Sequence, residues 1–369
     1  LPFITVRNDI TSILRHTCTT IRNHEGYISD TLVFKEQNGE IDCAVLRQAS
    51  NDSEILLNYG RELRVPMHFI HWHENEDQLL PIDGVKRLSV VQRLLLDQWL
   101  ELIHATKKLS RIRSNHPQCA LLNPELRQHL ADAGFASFAK PPREGRAAEL
   151  MISLHCAGNQ KTFDKGRNRW LVPLKNLVNH HPYGAPQQPI PGRVAVSTSA
   201  ISGPNGTFEN YGDYDAMQLL LFFGFLCPQI RVVHSVPLTF SLQHWGQVTI
   251  GRGGERYRDG QSMPVARIAR TEEGLSIQQL SARPGNRASL LSLLAMLGHV
   301  QYDMALSRAK SHAEQLLDTI MKANFAYYDR LINLVDNARN QTVISSLLLL
   351  ENLDLMARLQ QQQIIAFWG

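Results

Sequence analysis

Apolar and polar positions along this chain change their period in blocks, and each change marks an element. Between residues 31 and 70 the runs TLVF, DCAVLRQ and EILLNY are short and rich in β-branched or aromatic side chains. The turn signals QNGE and SNDSE separate them, which predicts short strands. From Leu88 to Arg113 the period lengthens. Val91, Leu94, Leu95, Trp99, Leu102 and Ile103 share one face, which predicts a single long amphipathic helix. A second helix is expected at about 147–157, then a strand-like apolar run from Leu171 to Leu177. Strands follow at 190–198 and 206–211, and then a short helix over 214–226 that ends in an apolar strand. The runs IRVVHSV, LTFSLQHW, QVTIGR and PVARIAR predict strands around the hairpin-like GRGGERYRDG. After ARPGNR the text is helical. Leu317, Ile320, Met321, Phe325, Tyr328, Ile332 and Val335 mark one long helix, and 343–365 another, with Gln360–Gln363 read as a solvated final turn. Strands, helices, strands and helices in that order predict an α+β protein. The expected blocks are residues 1–87, a helical insertion at 88–150, then 151–228, and a C-terminal 229–369 of strands followed by helices.

Composition narrows the class. At 369 residues, with 43% hydrophobic and 20% charged positions, the chain can bury several cores. A formal charge of +4 is too weak and too dispersed to predict a nucleic-acid partner. No apolar run reaches the ~20 residues of a membrane span, so no membrane association is expected. The five cysteines are scattered without a CxxC spacing, which suits reduced thiols and predicts a cytoplasmic protein. The chain opens at Leu1 without a signal-peptide pattern, and a targeting segment ahead of Leu1 lies outside this reading. His68, His71 and His73, with Glu74 and Asp77, offer nitrogen and carboxylate ligands. Their spacing matches no metal motif, and no metal is expected. GRGG lacks the following helix that a phosphate loop needs, and KKLSRIR reads as a solvated helix end.

The most unusual stretch is WLVPLKNLVNHHPYG, residues 170–184, where an apolar run ends in Asn179, His180 and His181. LVPLKNLVNHH is similar to the [VL]VP[ML]xDLxNH segment of SET-domain methyltransferases of the Rubisco large-subunit lysine methyltransferase class, which includes the actin-histidine methyltransferase. NYGDYDAMQLLLFFGFL resembles that class's second signature, a YG dipeptide followed by a helix ending in a [YS]GF triplet, and Tyr211 and Gly224 stand at the matching separation. Residues 39–65 can be laid without gaps on the class's first strands. The resemblance implies a SET fold of short strands with a knot-like C-terminal part, a helical insertion and a mainly helical C-terminal domain.

It also implies chemistry. The cofactor would be S-adenosylmethionine, contacted by Glu40, Asn179 and His180. Tyr211 would orient the acceptor and Phe223 would line the channel. The product would be a methylated lysine, or alternatively histidine, on a partner protein held by the C-terminal helices. In-line methyl transfer needs an unprotonated amine and oxygens that orient it. The sequence departs from the pattern at several pocket positions. Phe223 replaces a tyrosine, Ala216 (with Asp215 beside it) replaces an asparagine, and Ile41 and Cys43 replace two glycines. LHCAG, residues 154–158, replaces a segment carrying an arginine. Glycine lets backbone approach a ligand closely, and Ile41 would intrude. The rival expectation is therefore a SET-derived scaffold, without methyl transfer, that binds a partner or another ligand.

Overall fold

The computed structural model describes residues 2–48, 54–73, 78–158, 169–186, 192–252, 267–340 and 347–368. The architecture is α+β, with short strands and a helical C-terminal part. Contacts divide the chain into two compact units. Leu1–Ser114 with Arg143–Gly212 form the first, and Asn115–Pro142 with the described residues from Asp213 onward form the second.

In the first unit the helix Asn8–Asn23 buries Ile10, Ile13, Leu14, Cys18 and Ile21, a stripe at three- and four-residue spacing. It packs on the helix Val90–Ala105, where the buried Gln98 amide donates to Thr20 Oγ1 at 3.2 Å. Ser89 and Gln92 close a reciprocal cap at the start of that helix, satisfying backbone donors that would otherwise be orphaned. The strands Leu32–Gln37 and Glu40–Val45 form a hairpin, joined in parallel by Phe3–Thr5. A second sheet places Ile55–Gly60 between Tyr27–Ile28 and Arg193–Ser197. The loop before residue 208 is tied to the hairpin. The Thr207 N–H donates to the Cys43 carbonyl at 2.8 Å, and the Val45 N–H to Gly203 at 3.1 Å.

The second unit has a four-stranded sheet in the order Leu238–Leu242, Gly246–Gly251, Gly274–Gln278, Arg267–Arg270, with its central pair parallel. The helices Arg287–Gln301, Leu306–Arg339 and Leu347–Trp368 complete it, around a core that includes Trp245, Leu316, Ile320, Tyr328 and Leu353. Asp215 is fully buried there. It caps the helix that begins at Ala216, accepts from the His234 N–H at 3.1 Å and pairs with Arg252 at 3.2 Å, which leaves no uncompensated charge. No described helix is long and apolar enough to cross a membrane.

Several expectations are corrected. The single helix over 88–113 is two, Val90–Ala105 and Lys108–Asn115, because Thr106 is extended and the Lys107 N–H turns away to the Gly39 carbonyl at 2.9 Å. Within 171–177 only Leu171 is strand, since Leu174 takes φ +62° and a tight turn follows at Lys175–Leu177. Asn179 and His180 therefore begin a strand, Asn179–Pro186, and do not end one. The helix expected over 214–226 is Ala216–Gln218 continued by a wider turn to Phe223. Gly224 stops it at φ +77°, with no strand after it. Gln360 is fully buried in a helix that runs to Trp368, so Gln360–Gln363 is no solvated end turn. Most of GRGGERYRDG, together with Glu74 and Asp77, lies outside the described residues.

Candidate functional site

Two segments thirty residues apart meet in the first unit. Asn179 and His180 pair in parallel with Phe208 and Glu209. After a four-residue bulge, Ala185 and Pro186 pair with Glu209 and Asn210. The returning chain crosses the partner strand so closely that a Cβ on Gly184 would stand 2.7–2.9 Å from the backbone of Phe208 and Glu209, a contact only glycine allows. His180, 5% exposed, points inward. Its Nδ1 accepts from the Tyr211 N–H at 2.9 Å, and the two rings lie 5.1 Å apart. Burial, helped by the charge of His181, pushes the His180 pKa down to about 4 against a hydrogen bond with the Glu209 backbone. The ring is therefore neutral near pH 7. The Tyr211 hydroxyl donates to the Val178 carbonyl, and burial raises its pKa, so it acts as a neutral phenol and not as a base.

Beneath this contact lies an ion pair that sequence reading missed. Lys175 Nζ sits 3.3 Å from Glu209 Oε1, whose side chain is 3% exposed. Its signal is present in the text: one lysine inside the apolar run LVPLKNLV needs an acid opposite it.

Glu40 and Asn179, both expected to touch the cofactor, do line one cavity, together with Ile41, Lys108, His155 and Asn176. Glu40 is held by Lys108 at 3.4 Å and Arg111 at 3.1 Å. The Asn179 amide donates to Asp42 Oδ1 at 2.8 Å. Asn176, where the quoted SET pattern has Asp, lies 2.7 Å from His155 Nδ1, and burial takes the His155 pKa down to about 3. A neutral amide–imidazole pair thus stands where the pattern has an acid. Ile41 is buried, and so is Cys43, whose thiol burial pushes well up.

The cavity measures about 20 Å³, room for about one water. Sites for a molecule the size of S-adenosylmethionine run roughly 300–1,000 Å³. The donor set suits an amino-acid end, but the volume does not; Ile41 and the paired side chains of Glu40 and Lys108 are among its lining. Among the described residues, the cavity that Glu40 and Asn179 line does not fit that cofactor, and His180 does not line it.

Phe223 belongs to the second unit, where it packs edge-on against Tyr214 at 5.2 Å and beside Phe225. His71 and His73 share a strand face, with rings 6.1 Å apart. No group of three potential metal ligands occurs among the described residues.

No protein-family model matches the chain, and no curated protein does. Among solved structures it is similar to the SET domain of LSMT bound to lysine and AdoHcy, at 12% identity and TM-score 0.41, covering 96% of this chain and 90% of that one. It is also similar to Rubisco LSMT bound to sinefungin and monomethyllysine, at 11% identity and TM-score 0.43, covering 97% and 91%.

Proposed function

We propose that this chain is a SET-derived protein-binding module in which the cofactor pocket has been filled. The observation that supports it most directly is the 20 Å³ cavity, walled by Ile41 and by Glu40 in its ion pairs with Lys108 and Arg111. Its partner is a protein, engaged in part by the C-terminal helices, and its setting is the reduced cytoplasm.

A second reading is favoured by the contact between His180 and Tyr211, which keeps the two SET signatures together. On it the chain is a protein N-methyltransferase acting on lysine or histidine. Glu40, Asn179 and His180 would hold S-adenosylmethionine, which supplies the methyl group when bound. Tyr211, its proton committed to Val178, would offer only oxygen lone pairs to an incoming amine.

Isothermal titration separates the two. With S-adenosylmethionine and with S-adenosylhomocysteine at millimolar concentration, no binding heat is expected. Saturable binding at one equivalent would overturn the filled-pocket reading in favour of the second.

A further inference from the structure

The bulge between His180 and Ala185 presents side chains that the reading above does not use. Four residues, His181 to Gly184, are inserted opposite a single partner, Glu209. An insertion of this kind re-aims side chains out of the sheet. It is pinned from two sides. The Tyr183 N–H donates to His181 Nδ1 at 3.1 Å, and the Asn210 amide donates to the Pro182 carbonyl at 3.1 Å. The first of these bonds leaves His181 with its proton on Nε2, and burial lowers its pKa, so the ring is uncharged near neutral pH.

The result is an aromatic cluster centred on His181, with Phe208 at 5.4 Å and Tyr183 at 5.6 Å between ring centroids. Tyr183 is 52% exposed. Phe208 is the register partner of Asn179, so it adjoins the exposed amide that donates to Asp42. Asp42 forms no ion pair with lysine or arginine among the described residues, and Asn179 occupies one of its two carboxylate oxygens. Lys35, its cross-strand neighbour, sends its amine to the Pro204 carbonyl. Among the described residues, one carboxylate without an ion pair therefore stands at the end of a strip of neutral rings.

We propose that this strip is a docking subsite for an arginine side chain of the partner protein. A guanidinium is planar, stacks on ring faces, and presents paired donors that match a carboxylate. An ammonium has neither the plane nor the fork. Asp42 receives the charge, while the faces of His181, Tyr183 and Phe208 receive the guanidinium plane and its aliphatic stem. The proposal adds a contact to the partner-binding reading. Its test is separate, because a peptide reports on the strip and S-adenosylhomocysteine on the cavity.

The experiment is an NMR titration of the full chain with the capped peptide Gly-Arg-Gly, its citrulline analogue and its lysine analogue. The arginine peptide is expected to shift the His181 ring protons saturably, with millimolar affinity. The citrulline peptide, isosteric and uncharged, is expected to bind at least tenfold more weakly, and the lysine peptide severalfold more weakly. Asp42→Asn and Tyr183→Ala, both with unchanged circular dichroism, are each expected to lose about tenfold for arginine. Equal binding of citrulline and arginine, or an Asp42→Asn variant that binds as well as the parent, would overturn the proposal.

Discussion

At the residue scale, the first unit depends on histidines that are buried uncharged. His155 and His180 have pKa values lowered to about 3 and about 4, chiefly by burial. In the unfolded chain both titrate near 6.5. Between those limits the unfolded state binds more protons, so stability rises with pH. The contribution is complete above pH 6.5 and is lost progressively as the pH falls toward 4 and then 3, on the order of a few kcal/mol for each histidine. Urea unfolding at pH 7 and pH 4.5 should show this loss. His155→Gln, which keeps a hydrogen-bond partner for Asn176 but cannot be protonated, is expected to flatten the acid limb. An unchanged limb would mean that His155 does not contribute to it.

At the element scale, local pattern located the elements better than it bounded them. The helix over 88–113 has unbroken apolar periodicity, yet it divides at Thr106 because the Gly39 carbonyl captures the next backbone N–H. No local signal in the helix announces a partner sixty-eight positions away. The glutamines near the C-terminus make the same point. Gln360 reads as solvated by type, but it is fully buried and both its amide atoms lack a hydrogen-bond partner. An unsatisfied buried amide costs about 1–3 kcal/mol. Gln360→Met, of similar shape, is therefore expected to stabilise the protein by about 1 kcal/mol, seen as a higher urea midpoint with an unchanged slope. A lower midpoint would show that the amide is satisfied in solution.

At the scale of the whole molecule, Ile41 links the small cavity to the core. Ile41 is 7% exposed and both lines the cavity and packs the first unit. Ile41→Ala is expected to cost about 2–4 kcal/mol through lost contacts and the space left behind. The same change enlarges the cavity beside Glu40 and Asn179. The space gained is that of three carbons, far short of roughly 300 Å³, so on the filled-pocket reading S-adenosylhomocysteine raises the melting temperature of neither the variant nor the parent, since a ligand stabilises only the state that binds it. A rise in either would contradict that reading.

The text by itself determined the α+β class and the stripes of the long helices, because period and residue type are local properties; the candidate pair at 179–180 and 211 came from the resemblance to the SET-domain class. Only the tertiary structure decided the pocket. Whether Glu40 faces a ligand or two cations, whether Asn179 offers its amide to a cofactor or to Asp42, and whether Ile41 leaves 20 Å³ or several hundred all depend on side chains that arrive from distant positions. Lys175 announced a need for an acid but not that Glu209 would meet it, and Asn176 with His155 and the bulge at 181–184 were invisible for the same reason. Each needs two segments to be brought together before its energy exists, and a linear pattern carries no term for that meeting.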